Sequence, residues 1–312
     1  MRQAWKCANC GFSQSKRPRS CPRCGLVQAG KWTHQKYEIL EEYLHALSLI
    51  MRNRGYGHYF IDACAGSGIV EGYEENCTIN GSPLRMAKTR DWVKNRIKDK
   101  TRKPSVQCRF IEVDPQIFKL LKASTVPFSD FVECIPGDCN KELPKVLDKV
   151  PNAFTFVYID PFGLGDPVIQ YDTVERVLER GFTELFIQFS WEGISRAAGL
   201  LKNVDHLDEK TRKQARSTIK TMNSYMKGIE WQDIWKRTPS WRRRKAILEL
   251  YVSGLKTYYK HIEYVEIPIR SKRPEYYLIF TTRNPTGRKI MKGIIEKKRR
   301  MGATPLERWF DA

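Results

Sequence analysis

The sequence predicts an α/β protein in which a Rossmann-like open sheet is preceded by a zinc ribbon and interrupted late by a helical basic insert. Short apolar runs ending in Gly or Asp alternate with longer amphipathic stretches, as strands alternate with helices. Two CxxC pairs open the chain, and a stretch rich in Lys, Arg and Trp breaks the alternation after Trp191.

Composition sets the outer bounds. A chain of 312 residues can bury a full core, as about two domains or as one enlarged domain with an appendage. The hydrophobic share of 41% is that of a folded protein. With 55 Lys+Arg against 35 Asp+Glu the formal charge is +20, so a polyanion is the expected partner, nucleic acid first and a merely solvated basic surface second. No apolar run of about 18 residues occurs, and the N-terminus has no apolar signal core, which predicts a cytoplasmic protein without a membrane partner. Nine cysteines then need an explanation other than secretion. There is no internal repeat, and the sequence does not report an oligomeric state.

The first element explains four of those cysteines. Cys7, Cys10, Cys21 and Cys24 form C-x2-C-x10-C-x2-C, and each pair can fold into a knuckle that aims two thiolates at one tetrahedral Zn²⁺. Gly11 and Gly25 follow the pairs and supply the backbone freedom that knuckles need. Four thiolates leave no open position, so the metal is expected to be structural; rubredoxin-like iron or a redox dithiol is the alternative. Lys16, Arg17, Arg19 and Arg23 suggest a ribbon that faces nucleic acid. From Thr33, a candidate N-cap, Tyr37, Leu40, Leu44, Leu47 and Met51 recur at helical spacing up to Gly55.

Tyr59 to Ala63 reads as a buried strand, and Ala65, Gly66, Ser67 and Gly68 form a small-residue turn that lets a ligand approach the backbone. The turn does not complete GxGxxG, and the next suitable carboxylate, Glu112, lies far beyond the usual spacing of about 20 residues, which argues against a nicotinamide site. Asp62 at the strand end suits a cationic amino-acid moiety, which favours S-adenosylmethionine. The acidic loop Ile69 to Asn80, with Glu71, Glu74 and Glu75, is either a lid or a solvated insertion. Ser82 as N-cap and Pro83 at N1 then start a helix, and capping alone accounts for Ser82.

Val106 to Val113 is the next strand, ending in Glu112, Val113 and Asp114. At the carboxyl end of a parallel strand Glu112 can accept from two ribose hydroxyls, while Asp114 before Pro115 reads as a cap. A helix over Gln116 to Ala123 and a strand near Phe131 to Ile135 lead to Gly137, Asp138, Cys139 and Asn140; Asp138 is either a helix N-cap or an acceptor for an adenine amine. The apolar run Phe154 to Ile159 delivers Asp160, Pro161, Phe162 and Gly163 to one point, either an ordinary strand-to-turn junction or a reaction centre. A helix at Val174 to Glu179 and a strand at Glu184 to Phe189 follow.

The insert carries Arg196, Lys202, Lys210, Arg212, Lys213, Arg216, Lys220, Lys227, Lys236, Arg237 and Arg242 to Lys245, interleaved with Trp191, Tyr225, Trp231, Trp235 and Trp241. Cations among aromatics are how single-stranded or looped RNA is commonly held; a helical hairpin that uses its aromatics as core is the alternative. Ile247, Leu248, Tyr251, Leu255 and Tyr258 form a helical stripe. Strands at His261 to Ile269 and Tyr276 to Thr282, joined by the basic turn Arg270 to Pro274, fit the reversed seventh strand of class I methyltransferase sheets. A last helix packs through Ile290, Met291, Ile294 and Ile295, with Lys297 to Arg300 at its C-terminal dipole. The expected division is 1–30 zinc ribbon, 31–190 Rossmann-like methyltransferase core, 191–245 basic insert, and 246–312 end of the core sheet and C-terminal helix.

YFIDACAGSG, GSPLRMA, FIEVD, GDCN, YIDPFG and YYLIFTT, in that order, resemble the three-Cys-motif partner proteins, a family with a class I methyltransferase-like fold; the match runs from about Lys31 to Lys292. By position, the resemblance implies S-adenosylmethionine contacts at Asp62, Ala65, Gly66, Ser67, Gly68, Val113 and Cys139, with Glu112 on the ribose and Asp138 on the adenine. It also implies that Asp160, Pro161, Phe162 and Gly163 take the place of the D/N-P-P-Y/F motif of amino-methyltransferases. Cys64 stands where an aromatic is usual and Phe162 where the second proline would be, and the ribbon lies outside the shared region. The chain is also similar to archaeal ribosomal-RNA enzymes that methylate cytidine N4 or adenosine N6.

The implied chemistry is methylation of an exocyclic base amine. Asp160 and the Pro161 carbonyl would accept the two N–H hydrogens, and Phe162, Tyr158 or Trp191 would stack on a flipped base. Cytosine C5 chemistry would need a cysteine nucleophile, and Cys64 and Cys139 read as core thiols. The alternatives are a non-catalytic RNA-binding protein on a methyltransferase scaffold and a DNA amino-methyltransferase.

Overall fold

The computed structural model describes residues 5–14, 21–30, 32–72, 77–96, 106–161, 168–202, 208–272 and 274–301. Strands β1 (Trp5–Lys6) and β2 (Ser13–Gln14) pair antiparallel in the cysteine module. Helix α1 (Thr33–Asn53) leads into β3 (His58–Asp62), followed by a small antiparallel hairpin, β4 (Ile69–Glu71) and β5 (Thr78–Asn80), and by α2 (Ser82–Asn95). Then come β6 (Val106–Glu112), α3 (Pro115–Thr125), β7 (Val132–Pro136), α4 (Cys139–Lys149), β8 (Phe154–Ile159), α5 (Tyr171–Glu179) and β9 (Thr183–Phe189). Helices α6 (Trp191–Gly199), α7 (Glu209–Tyr225), α8 (Glu230–Arg237) and α9 (Ser240–Lys256) precede β10 (His261–Ile267), β11 (Tyr276–Thr282) and α10 (Pro285–Met301).

Seven strands form the central sheet in the order β10-β11-β9-β8-β3-β6-β7. β9, β8, β3, β6 and β7 are mutually parallel, and β11 runs antiparallel to both its neighbours. Numbered along the sheet's own strands, this is 6-7-5-4-1-2-3 with the seventh reversed, the arrangement expected of a class I methyltransferase sheet.

Period-two alternation sends successive side chains to opposite faces, so both faces are covered and the strands read as unbroken apolar runs. From β8, Phe156 and Tyr158 join a core with Ile39, Leu40 and Tyr43 of α1 and Met291 and Ile295 of α10. Val157 and Ile159 face the other way, onto Leu143 of α4 and Val174 of α5. The expected α1 stripe is fully inside, with Tyr37, Leu40, Leu44, Leu47 and Met51 all buried.

Three local expectations are corrected. Trp32, not Thr33, precedes the first turn of α1 and gives no side-chain cap; the chain turns at Gly30, whose carbonyl accepts from the Thr33 N–H at 3.0 Å. Gly81, not Ser82, caps α2: its N–H reaches the Gly68 carbonyl at 2.8 Å, an approach so close that a Cβ there would meet that oxygen at 3.0 Å. The stretch after Gly68 is not a solvated insertion, since its described ends form the β4–β5 hairpin and Glu71 is buried; Glu74 and Glu75 lie outside the described residues. Asp114 caps α3 by accepting from the Gln116 and Ile117 N–H groups, as its place before Pro115 predicts.

Candidate active site

Parallel strands end together, so a sheet of this topology gathers the residues after them along one crevice, deepest where the connections diverge. Here that point lies between β3 and β8, adjacent strands on which Asp62 is opposite Tyr158. Asp62 closes β3 and Asp160 follows β8 two residues beyond that pair. Neither motif is near the other in sequence; the register brings them together.

Asp62 is fully buried. One carboxylate oxygen accepts from the Cys64 N–H at 3.2 Å, and the other has no hydrogen-bond partner. Burial pushes its pKa up to about 7, an effect moderated by the Ser82 side chain and reinforced by the charge of Asp160. Ser82 lies near this carboxylate but makes no hydrogen bond that satisfies its second oxygen.

Asp160 pairs with Lys36, Nζ to Oδ2 at 2.5 Å, with both side chains mostly buried. Burial pulls the ammonium pKa down, but the Asp160 charge outweighs it, and Lys36 is held above its ordinary value and stays protonated. Sequence reading missed Lys36. It sits four residues before Leu40, on the edge of the apolar stripe of α1, but that spacing does not say that the ammonium is buried or name its partner. Tyr37 and Tyr276 lie around it, their rings 5.2 and 6.0 Å from Nζ. Tyr158 is not a stacking ring, because its side chain is fully buried on the α1 face of the sheet; its hydroxyl is unpartnered there. The Pro161 carbonyl accepts a 3.4 Å bond from Gln188 Nε2. Phe162 and Gly163 lie outside the described residues.

The turn after β3 is pinned by the end of β6. Glu112 accepts from the Gly66 N–H through one oxygen and from the Asp114 N–H through the other, both at 2.8 Å. Burial raises its pKa despite those donors. Gly66 and Gly68 have positive φ, 64° and 76°. A Cβ at Gly66 would meet nothing within 4 Å, so its outer face is open to a ligand, whereas Gly68 is pressed against Ser124. Ala65 and Ser67 are buried under this turn, and Val113 beside Glu112 is 46% exposed. Asp138 caps α4, accepting from the Asn140 N–H at 2.9 Å and its side-chain amide at 3.1 Å. Cys139 is buried in the core, with Cys64 packed against the same cluster, in keeping with core thiols.

A cavity of about 850 Å³ lies at the opposite ends of the strands, lined by Tyr43, His58, Phe154, Thr183, Glu184 and Thr282 among others. Its buried carboxylate, Glu184, is already satisfied by the Tyr43 and Thr282 hydroxyls. It is remote from the groups above and is not the site they form.

In the cysteine module the four sulfur atoms of Cys7, Cys10, Cys21 and Cys24 lie within 4.8 Å of one another, and the Cys7–Cys24 and Cys10–Cys21 separations are 3.7 and 3.6 Å. A tetrahedron with Zn–S bonds of about 2.3 Å has edges of about 3.8 Å, so the cluster could hold such an ion. Each knuckle repeats the same bonds: Gly11 N–H to the Cys7 carbonyl and Cys7 N–H to Phe12, then Gly25 to Cys21 and Cys21 to Leu26. Lys16, Arg17 and Arg19 lie outside the described residues.

Of the insert's aromatics, Tyr225, Trp231 and Trp235 are core, Trp191 packs half-buried at 5.9 Å from Trp235, and Trp241 is 79% exposed. Its neighbour Arg242 lies over the Trp241 ring at 5.3 Å. Lys213, Arg216, Lys220, Lys236, Arg242 and Lys245 are exposed on the same set of helices. No helix among the described residues is long and apolar enough to cross a membrane.

No family model matches the chain, and no curated protein matches it. Solved structures do. The chain is similar to a Legionella pneumophila protein of family-model DUF519 at 12% identity and a TM-score of 0.49, covering 83% of this chain and 89% of that one. It is similar to the METTL16 MTase domain at 11% identity and 0.39, covering 84% and 75%. It is similar to the O-methyltransferase from Bacillus cereus in complex with SAH at 12% identity and 0.35, covering 78% and 80%. These superpositions are distant, and it is the strand order with its reversed seventh strand that gives the chain the fold of the class I S-adenosylmethionine-dependent methyltransferases.

Proposed function

We propose that the protein is an S-adenosylmethionine-dependent RNA methyltransferase acting on an exocyclic base amine, cytidine N4 or adenosine N6, in ribosomal RNA. The observation that carries this is the unpartnered oxygen of fully buried Asp62, beside the Lys36–Asp160 pair at the switch point of the sheet. A buried carboxylate oxygen without a donor asks for a cationic group and repels a pyrophosphate. S-adenosylmethionine supplies a methyl group on a sulfonium centre and brings an ammonium group that suits Asp62.

The chain's own residues would divide the work. Asp62 holds the amino-acid end, the Ala65-Gly66-Ser67-Gly68 turn admits the ligand over Gly66, and Glu112 accepts from the ribose hydroxyls. Val113 and Cys139 would flank the adenine, and Asp138 would accept from its amine. Lys36 occupies one oxygen of Asp160, leaving the other for the target amine. That oxygen and the Pro161 carbonyl accept the two N–H hydrogens, which draws the nitrogen lone pair out of conjugation and aims it at the methyl group. Asp160 also stabilises the positive charge that develops on nitrogen. Phe162 would stack on the base, with Gly163 completing the motif.

The Cys7, Cys10, Cys21 and Cys24 cluster holds one structural Zn²⁺ in this reading, and residues 191–245 form the RNA contact, supported by exposed cations around Trp241. The order of motifs supports a place beside the three-Cys-motif partner proteins, with residues 1–30, 31–190, 191–245 and 246–312 as ribbon, core, insert and core end of a cytoplasmic enzyme. The test is to digest RNA and DNA from a deletion strain and compare nucleosides. Loss of one N4-methylcytidine or N6-methyladenosine species from ribosomal RNA, restored by purified protein with S-adenosylmethionine, is expected. Loss from DNA would move the substrate; an unchanged profile would overturn the enzyme and favour an RNA-binding scaffold.

A further inference from the structure

The described part of the cysteine module packs against the hairpin and the helix that flank the glycine turn. Leu26, just after the second knuckle, is completely buried against Ile69 and Leu120, together with Cys7 and Cys21. Gly25 backs onto the first turn of α3, where a Cβ would meet Ile117 at 3.5 Å and Gln116 at 3.6 Å. Residues 27–29 then add a parallel bridge to the hairpin that follows the glycine turn. The Glu71 N–H bonds the Val27 carbonyl at 3.0 Å, and the Ala29 N–H bonds the Glu71 carbonyl at 2.8 Å. Gln28 Nε2 reaches the buried Glu71 carboxylate at 3.5 Å.

The hairpin in turn holds the turn that admits the ligand. Gly81 after β5 bonds the Gly68 carbonyl at 2.8 Å, and Ser124 of α3 bonds the Ser67 carbonyl at 3.0 Å. Gly66 is tied to Glu112 at 2.8 Å. Direct contacts therefore run from Cys21 and Cys24 through Leu26, Val27 and Ala29 to Glu71 and Ile69, and on to Gly68, Gly66 and Glu112. Three-residue β4 and β5 make a marginal ribbon by themselves, so the strand-like segment 27–29 is a substantial part of what orders them. That segment depends on a module whose described core is a small cluster of Cys7, Cys21 and Leu26, in which a bound metal would supply most of the folding free energy.

We infer that the cysteine module is a positioning element for the cofactor turn, so that metal occupancy at Cys7, Cys10, Cys21 and Cys24 sets affinity for the S-adenosyl ligand. The inference rests on the cofactor reading above. Losing the metal releases the 27–29 bridge, β4–β5 loosens, and the 66–68 turn must be ordered at the expense of ligand binding.

The test uses the full chain in three states, zinc-replete, chelator-treated and zinc-restored, with S-adenosylhomocysteine as the calorimetric probe and hydrogen exchange at 69–71 and 78–80 as a second readout. Chelation is expected to raise Kd by about tenfold or more, with loss of exchange protection in the hairpin, and zinc should reverse both. Leu26→Ala, which keeps all four thiols, should retain one zinc per chain and still weaken binding several-fold. Unchanged Kd and unchanged protection after chelation would overturn the coupling, as would Leu26→Ala binding like the wild type. If the zinc-replete protein binds no S-adenosylhomocysteine, the cofactor reading fails, and the hairpin exchange alone then decides: lost protection on chelation upholds the positioning role, and retained protection ends it.

Discussion

Asp160 meets an ammonium group in the folded protein before any substrate arrives, and that changes what its substitution should do. Asp160→Ala removes the acceptor for the amine and leaves Lys36 with a buried, uncompensated charge. We expect turnover to fall by about a thousandfold or more while S-adenosylhomocysteine affinity stays within a few-fold, since Asp62 and Glu112 are untouched. A parallel loss of binding would make Asp160 a structural residue. Asp62 gives a prediction in pH. Its pKa is raised from 3.8 to about 7, so the folded protein keeps a proton that the unfolded chain releases, and its contribution to stability declines as pH rises through that window. A cationic ligand needs the ionised form, so affinity should rise with pH up to about 7 and level off above it, with a proton released on binding at pH 6. Asp62→Asn should flatten that profile, as measured by titration calorimetry in buffers of different ionisation enthalpy.

Among the elements, α1 and α9 illustrate opposite outcomes of pattern reading. The α1 stripe predicts which residues are buried, but periodicity treats Lys36 as a solvated neighbour, and only packing against β8 reveals its partner. In α9 the stripe Ile247, Leu248, Tyr251 and Leu255 is buried, while Trp241 at its start stands in solvent with Arg242 across its ring. An exposed indole beside a guanidinium is a stacking surface for an unpaired base, worth about 1–3 kcal/mol. Trp241→Ala should therefore weaken binding of single-stranded RNA by about tenfold without altering cofactor affinity, as read by fluorescence anisotropy; equal binding would remove this ring from the RNA contact. Trp231 would behave differently, because its indole is buried and bonds Asn223 at 2.9 Å. Its removal would be a core deletion.

For the whole molecule, a charge of +20 predicts association with any polyanion and a strong dependence on salt. If the exposed cations of α7 and α9 engage four RNA phosphates, the logarithm of affinity should fall with the logarithm of salt at a slope of about −3, and Lys213→Ala with Arg216→Ala should reduce it by about 1.4. A slope unaffected by that pair would place the RNA elsewhere. Sheet, helices, cysteine knuckles and the strand-end carboxylates were legible in the sequence because each rests on local chemistry: period-two and helical patterning, paired thiols three positions apart, and Asp or Glu closing an apolar run. The Lys36–Asp160 pair, the bridge of residues 27–29 to Glu71 and the sorting of the insert's tryptophans into one exposed, one half-buried and two core rings were decided only by tertiary structure. Those features join residues up to 124 positions apart, and nothing in the spacing of a chain records which of its distant polar groups must share one buried place.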